Sequence, residues 1–268
     1  RGSSVRRLIA IRISRRYDIL SGKEKGRYTG RHWWGVSNGS TALEPITGKQ
    51  ALDLAMAIGL PERGKHDYGT SIMLLDPDFS DIPASGIVKM VCETLLWNFW
   101  PKFINYDAQF AAMRFRFALN GVDVPIPAVE NCPPLDLFVA AMKDLKSDRN
   151  GVKSIGSKSP KKHLGKLSIK KMVKGDRKIL FTGDNSLAPL NCSHVALMRP
   201  AELVVKYLEG QPLPTDDYEW AGVFICDGDE EVEHAFAASE PPAHDDWIPN
   251  YLPKGRQKTF VNVALREI

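Results

Sequence analysis

The chain contains no run of 18 or more uncharged apolar residues, so no segment is suited to cross a bilayer as a helix, and its Arg-rich start lacks the apolar stretch of a signal peptide. Cysteine is scarce. Cys92, Cys132, Cys192 and Cys226 lie far apart with no Cys-x-x-Cys pair, which argues against a zinc site and a disulfide framework and for buried thiols in a reducing cytosol. A Walker loop, a Gly-x-Ser-x-Gly elbow and a His-Glu-x-x-His helix are also missing, which removes the best-marked routes to P-loop phosphate binding, acyl transfer and zinc hydrolysis. No repeat period is visible.

What is there supports a folded protein. With 268 residues, 43% hydrophobic and 9% aromatic, the chain can bury one large core or two medium ones. The net charge of +4 hides an asymmetry. Lys143 to Lys178 carries thirteen Lys/Arg against three Asp, while Thr215 to Asp246 carries eleven Asp/Glu and no Lys/Arg. Such poles either steer partners or meet within the fold.

Taken in order, Val5, Leu8, Ile9 and Ile13 share a helical face, predicting a helix over 5–14 with Ser3 or Ser4 as its cap and Gly2 ahead; an alternation of Ile9, Ile11 and Ile13 competes as a strand. Exposed N–H groups at such a helix start, beside Arg6 and Arg7, would attract phosphate. Trp33 and Trp34 between glycines suggest an irregular connection with aromatic anchors, core or interface packing being the expectation and stacking on a base the alternative. Gly48–Ile58 predicts a helix closed by Gly59, and Gly69-Thr70 opens an apolar strand over 71–75. Ser85–Ile104 is an amphipathic helix ended or bent by Pro101. Asn120-Gly121 marks a type I′ turn between alternating strands, and Leu135–Leu145 is a further helix. Ser154–Lys162 reads as a mobile basic loop before a strand over 164–173. Strands at 195–198, 220–226 and 260–265, with helices near 200–207 and 231–239, complete an α+β layer with a mixed sheet.

The Gly/Ser start, the Gly69-Thr70 step and the α+β module after them resemble the GHKL (Bergerat-fold) ATPases, the superfamily of the gyrase ATPase subunit, MutL, MORC proteins and heat-shock chaperones. The runs Leu95–Pro101 and Glu240–Trp247 look like those of prokaryotic, phage-defence-associated members. The resemblance implies that residues 1–78 end a nucleotide-binding α/β sandwich and residues 79–268 form a transducer-like domain. It implies ATP and Mg2+ as cofactors, with Gly2, Ser3, Ser4, Gly69 and Thr70 at the phosphates or adenine. It further implies a nucleotide-dependent homodimer closing on a DNA or protein partner, with Lys158, Lys161 and Lys162 as candidates for the lysine that reaches the γ-phosphate. The Glu-x-x-x-Asn helix and Asp-x-Gly-x-Gly box of that superfamily are absent and are expected upstream, as in a fragment of a longer protein.

A non-enzymatic nucleic-acid- or protein-binding module using residues 143–178 is the rival reading. His244 and Asp245 could hold a metal, but adjacent residues point apart, and a structural role beside Trp247 is the expectation; no metal ligands are assigned. His194 is expected to be a satisfied core histidine.

Overall fold

In a computed structural model the described residues are 5–13, 15–22, 25–28, 30–37, 39, 43–64, 67–79, 82–104, 113–149, 151–177 and 186–268. Gly2, Ser3, Ser4 and His66 lie outside them. The chain divides into two units, Arg1–Asp78 and Phe79–Ile268. Among the described residues the class is α+β, with five helices and one mixed five-stranded sheet.

The first unit runs through β1 (Arg7–Leu8), β2 (Ala10–Ile13), β3 (Tyr17–Ile19), β4 (Gly26–Tyr28), β5 (Arg31–Trp34), β6 (Val36–Ser37), β7 (Leu43–Glu44) and β8 (Ile46–Thr47) into α1 (Gly48–Ala57). The strands pair antiparallel in twos: β1 with β8, β2 with β5, β3 with β4 and β6 with β7. The helix expected over 5–14 is therefore replaced by β1 and β2. Its Ile residues alternate with Ala10 and Arg12, and β-branched side chains lose rotamer freedom in a helix. The Trp pair lies in β5, Trp33 opposite Ile11 and Trp34 opposite Ala10, and both indoles are about half exposed.

The helix α1 forms where its spacing predicts. Gly59 at φ +88 closes it, while the Leu60 N–H reaches back to the Ala55 carbonyl at 2.9 Å. Only Ala51 of this helix is buried. Beyond it the strand expected over 71–75 is absent: the backbone is irregular, with Ile72 84% and Leu74 78% exposed. An apolar run becomes a strand only where another strand offers hydrogen-bond partners, and none does so here among the described residues.

The second unit begins with α2 (Ala84–Phe99), whose Cys92, Leu96 and Trp97 are buried. Pro101 supplies no N–H, and the chain tightens into a 3-10 turn over Trp100–Phe103. Next come β9 (Phe117–Leu119) and β10 (Val122–Val124), joined through Asn120 and Gly121 at φ +51 and +81, the left-handed pair a type I′ turn requires. After α3 (Leu135–Lys146) follow β11 (Lys153–Lys158), β12 (Lys161–Val173), β13 (Ser193–Met198), β14 (Val204–Glu209), β15 (Tyr218–Cys226), α4 (Glu230–Ala238) and α5 (Arg256–Glu267). The sheet order is β11-β12-β15-β13-β14, with β13 and β15 parallel and the other neighbours antiparallel.

Alternation along the central strands builds two cores. Ala196, Met198, Ala221 and Val223 face α2 and α3, whereas Val195, Leu197 and Phe224 face α4, α5 and Trp247. Helices therefore cover both faces, which is why β13 reads as a continuous apolar run. Gly165, at φ +151, lies where an added Cβ would fall 2.8 Å from the Phe224 ring, so only glycine admits that ring.

Two further expectations are corrected here. Residues 204–207, at the end of the span read as a helix, belong to β14: the Val-Val-x-Tyr-Leu run suits a pleated surface and finds β13 as partner. Residues 260–265, read as a strand, lie in α5, where Phe260, Val261 and Ala264 are buried at helical spacing. Short apolar runs fit both periods, and packing against α4 and β11 decides between them.

Candidate functional site

The loop after α1 folds back on itself through one arginine. The Arg63 guanidinium donates to Ser71 Oγ from Nε at 3.2 Å and from Nη2 at 2.9 Å, and its Nη1 lies 3.4 Å from Asp67 Oδ1. Arg6 in turn donates to the Arg63 carbonyl at 2.6 Å, tying the start of the unit to this loop. Gly69, at φ +146, sits so close that an added Cβ would lie 3.0 Å from Arg63 Nη1. Thr70 is exposed, and neither it nor Gly69 makes a hydrogen bond to another described residue. Two side chains at the predicted Gly-Thr step, Arg63 and Ser71, were not singled out by the sequence pattern; an Arg eight residues before a Ser carries no local signal. The result sets the Gly69 backbone beside a partly buried guanidinium that Ser71 and Asp67 already engage, so an anion would have to compete with the Asp67 carboxylate for it.

The three lysines are not on a mobile loop. Lys158 ends β11, Lys161 and Lys162 begin β12, and Lys158 pairs across the strands with Lys161 over the two-residue turn Ser159-Pro160. Lys162 Nζ lies 2.8 Å from Asp229 Oδ1 and 3.8 Å from Glu231 Oε2. Donating to the Asp229 carboxylate raises the Lys162 pKa, and accepting that bond lowers the Asp229 pKa. Asp229 also caps α4, accepting from the Glu231 and Val232 N–H groups, so Lys162 is a strut between β12 and α4. Lys158 and Lys161 are exposed and make no ion pair with a described residue.

The acidic and basic poles meet. Arg177 pairs with Glu219, which is 1% exposed and also accepts from the Cys192 N–H at 3.0 Å. His163 lies 3.4 Å from Asp227 and 3.0 Å from Ser154 Oγ, at the edge of a cleft of about 240 Å3 beside the carboxyl end of β15. Ser154 does not line that cleft, so the trio is not arranged to present a nucleophile to it. His244 pairs with Glu240 at 2.7 Å, Asp246 with Lys206 at 2.6 Å, and Trp247 is buried, which gives that stretch the structural role expected for it. His194 is half-buried; burial lowers its pKa, and its Nδ1 accepts from the Ser193 N–H at 3.1 Å. Among the described residues no three His, Cys, Asp or Glu side chains converge as a metal site, and no helix is long and apolar enough to cross a membrane.

No family model matches the chain, and no curated protein or solved structure matches it either.

Proposed function

We infer that the chain is part of an ATP-binding protein of the GHKL type, in which the Arg63–Ser71 loop contacts the phosphates and the Phe79–Ile268 unit relays the bound state to a macromolecular partner. What supports this reading is the packing of the Gly69 backbone against the Arg63 guanidinium, which lies 3.0 Å from where a Cβ would fall, so that a side chain there would crowd the cation that is to meet a phosphate. Thr70 adds an exposed hydroxyl at the same place. The reading is one of binding. Mg2+ would come with the nucleotide, and a homodimer closed by ATP, acting on DNA or protein, follows from the resemblance. Lys162 is set aside as phosphate sensor because Asp229 and Glu231 already hold it; Lys158 and Lys161 stay available.

ATP with Mg2+ at a hundred times Kd should stabilise the intact chain by about 2.7 kcal/mol, read as a rise in melting temperature. Thr70→Ala and Arg63→Ala should each shrink that shift. No shift with any nucleotide sinks the reading. The rival, a binding module built on residues 143–178, is weakened by the pairing of Lys143 with Glu130, Lys146 with Glu202, Lys166 with Asp148 and Lys170 with Asp144. DNA binding that ignores nucleotide and disappears in Lys158→Ala/Lys161→Ala would restore it.

A further inference from the structure

The chain from Ala10 to Trp34 doubles back as a ribbon of two successive strand pairs. Register places its side chains. Tyr17 stands opposite Tyr28, Arg12 opposite His32, and Ala10 opposite Trp34; residues directly opposite share a face, as do residues two apart on one strand. The rings confirm it: Tyr17 stacks on Tyr28 at 5.1 Å and on His32 at 5.3 Å. One face thus carries the row Trp34, His32, Tyr28 and Tyr17 with Arg12 among them. Trp34 is 52% exposed. The opposite face pairs Ile11 with Trp33 and Ile13 with Arg31.

The ribbon is also basic in a way that the Lys143–Lys178 segment is not. Between residues 10 and 34 the sequence has seven Lys/Arg against Asp18 and Glu24. Among the described residues its ion pair is Arg27 with Asp18, both exposed, and no described carboxylate reaches Arg12, Arg16 or Arg31. Exposed aromatic rings would favour any apolar partner; a row of rings with the Arg12 guanidinium among them, and Arg31 on the other face of a ribbon only two strands wide, selects a polyanion that carries its own π-faces.

We propose that the Ala10–Trp34 ribbon binds single-stranded nucleic acid, bases stacking along the Trp34–Tyr17 face and phosphates meeting Arg12 on that face and Arg31 around the ribbon's edge. This inference does not depend on nucleotide binding at Gly69 and Thr70, and the two fail separately. The test is fluorescence anisotropy of the full chain with a labelled single-stranded oligonucleotide of about 20 nucleotides, without ATP, over a series of salt concentrations. Binding should weaken with salt. Arg12→Ala/Arg31→Ala should cost about tenfold or more and reduce the salt slope by about 1.4, while Arg12→Lys/Arg31→Lys keeps the slope. Trp34→Ala should cost roughly tenfold with the slope unchanged, and Trp34→Phe should recover most of it. Absence of binding at low salt overturns the proposal. So does tighter binding to the matching duplex, or loss of binding in Lys158→Ala/Lys161→Ala with the arginine variants unaffected.

Discussion

The two units use similar residues to opposite ends. In Phe79–Ile268 the large apolar side chains go inward: Phe138, Phe224, Phe236 and Phe260 are fully buried, and helices cover both faces of one sheet. In Arg1–Asp78 the described residues bury a single apolar side chain, Ala51, while Ile13, Trp33 and Trp34 stand in water. Two-stranded ribbons cannot enclose a core, so their apolar residues remain surface. Charge follows the same division. Among the described residues, many basic side chains of the second unit are matched by carboxylates, whereas Arg12, Arg16 and Arg31 of the ribbon are not. An arginine-rich sequence count therefore says little about partners until the carboxylates have been located.

The sharpest way to break this comparison is truncation. Phe224 lies between Phe236 and Trp247, with ring centroids 6.1 and 6.0 Å away. Phe224→Ala should cost about 3–5 kcal/mol in urea unfolding followed by circular dichroism, against under about 0.5 kcal/mol for Ile13→Ala. Comparable costs would mean that the ribbon is packed in solution.

The charge half of the comparison comes next. Arg177→Met leaves the buried Glu219 without its guanidinium and should cost about 3 kcal/mol or more. Lys162→Met removes a partly exposed pair and should lower the melting temperature far less. If the two variants melt alike, Glu219 is better solvated than its burial implies.

The smallest effect concerns the thiols, all four of which are buried and in the second unit. Burial pushes Cys132 to about 11 and Cys192 and Cys226 to about 12, above the ordinary 9.0. Folded-state values above the unfolded ones stabilise the fold fully below pH 9.0, and that contribution is lost as pH rises towards about 12. A thiol-reactive dye at pH 8 should label the native chain far more slowly than the urea-unfolded chain. Fast native labelling would show that these cores open readily.

Sequence alone determined the elements whose signals are local and self-sufficient. The spacing in α1, α2 and α3, the Asn120-Gly121 turn and the apolar runs of β13 and β15 needed no partner to be read. The burial of the cysteines follows from what surrounds such residues in any core. Tertiary structure decided the rest. Whether 10–13, 204–207 and 260–265 became strand or helix depended on which neighbour offered hydrogen bonds or a core face. Whether a lysine stayed free depended on carboxylates some seventy residues away, as Lys162 and Asp229 show. The Arg63–Ser71 contact and the Trp34–Tyr17 row exist only because the chain turns back on itself, and no spacing along a line encodes which side chains that return brings together.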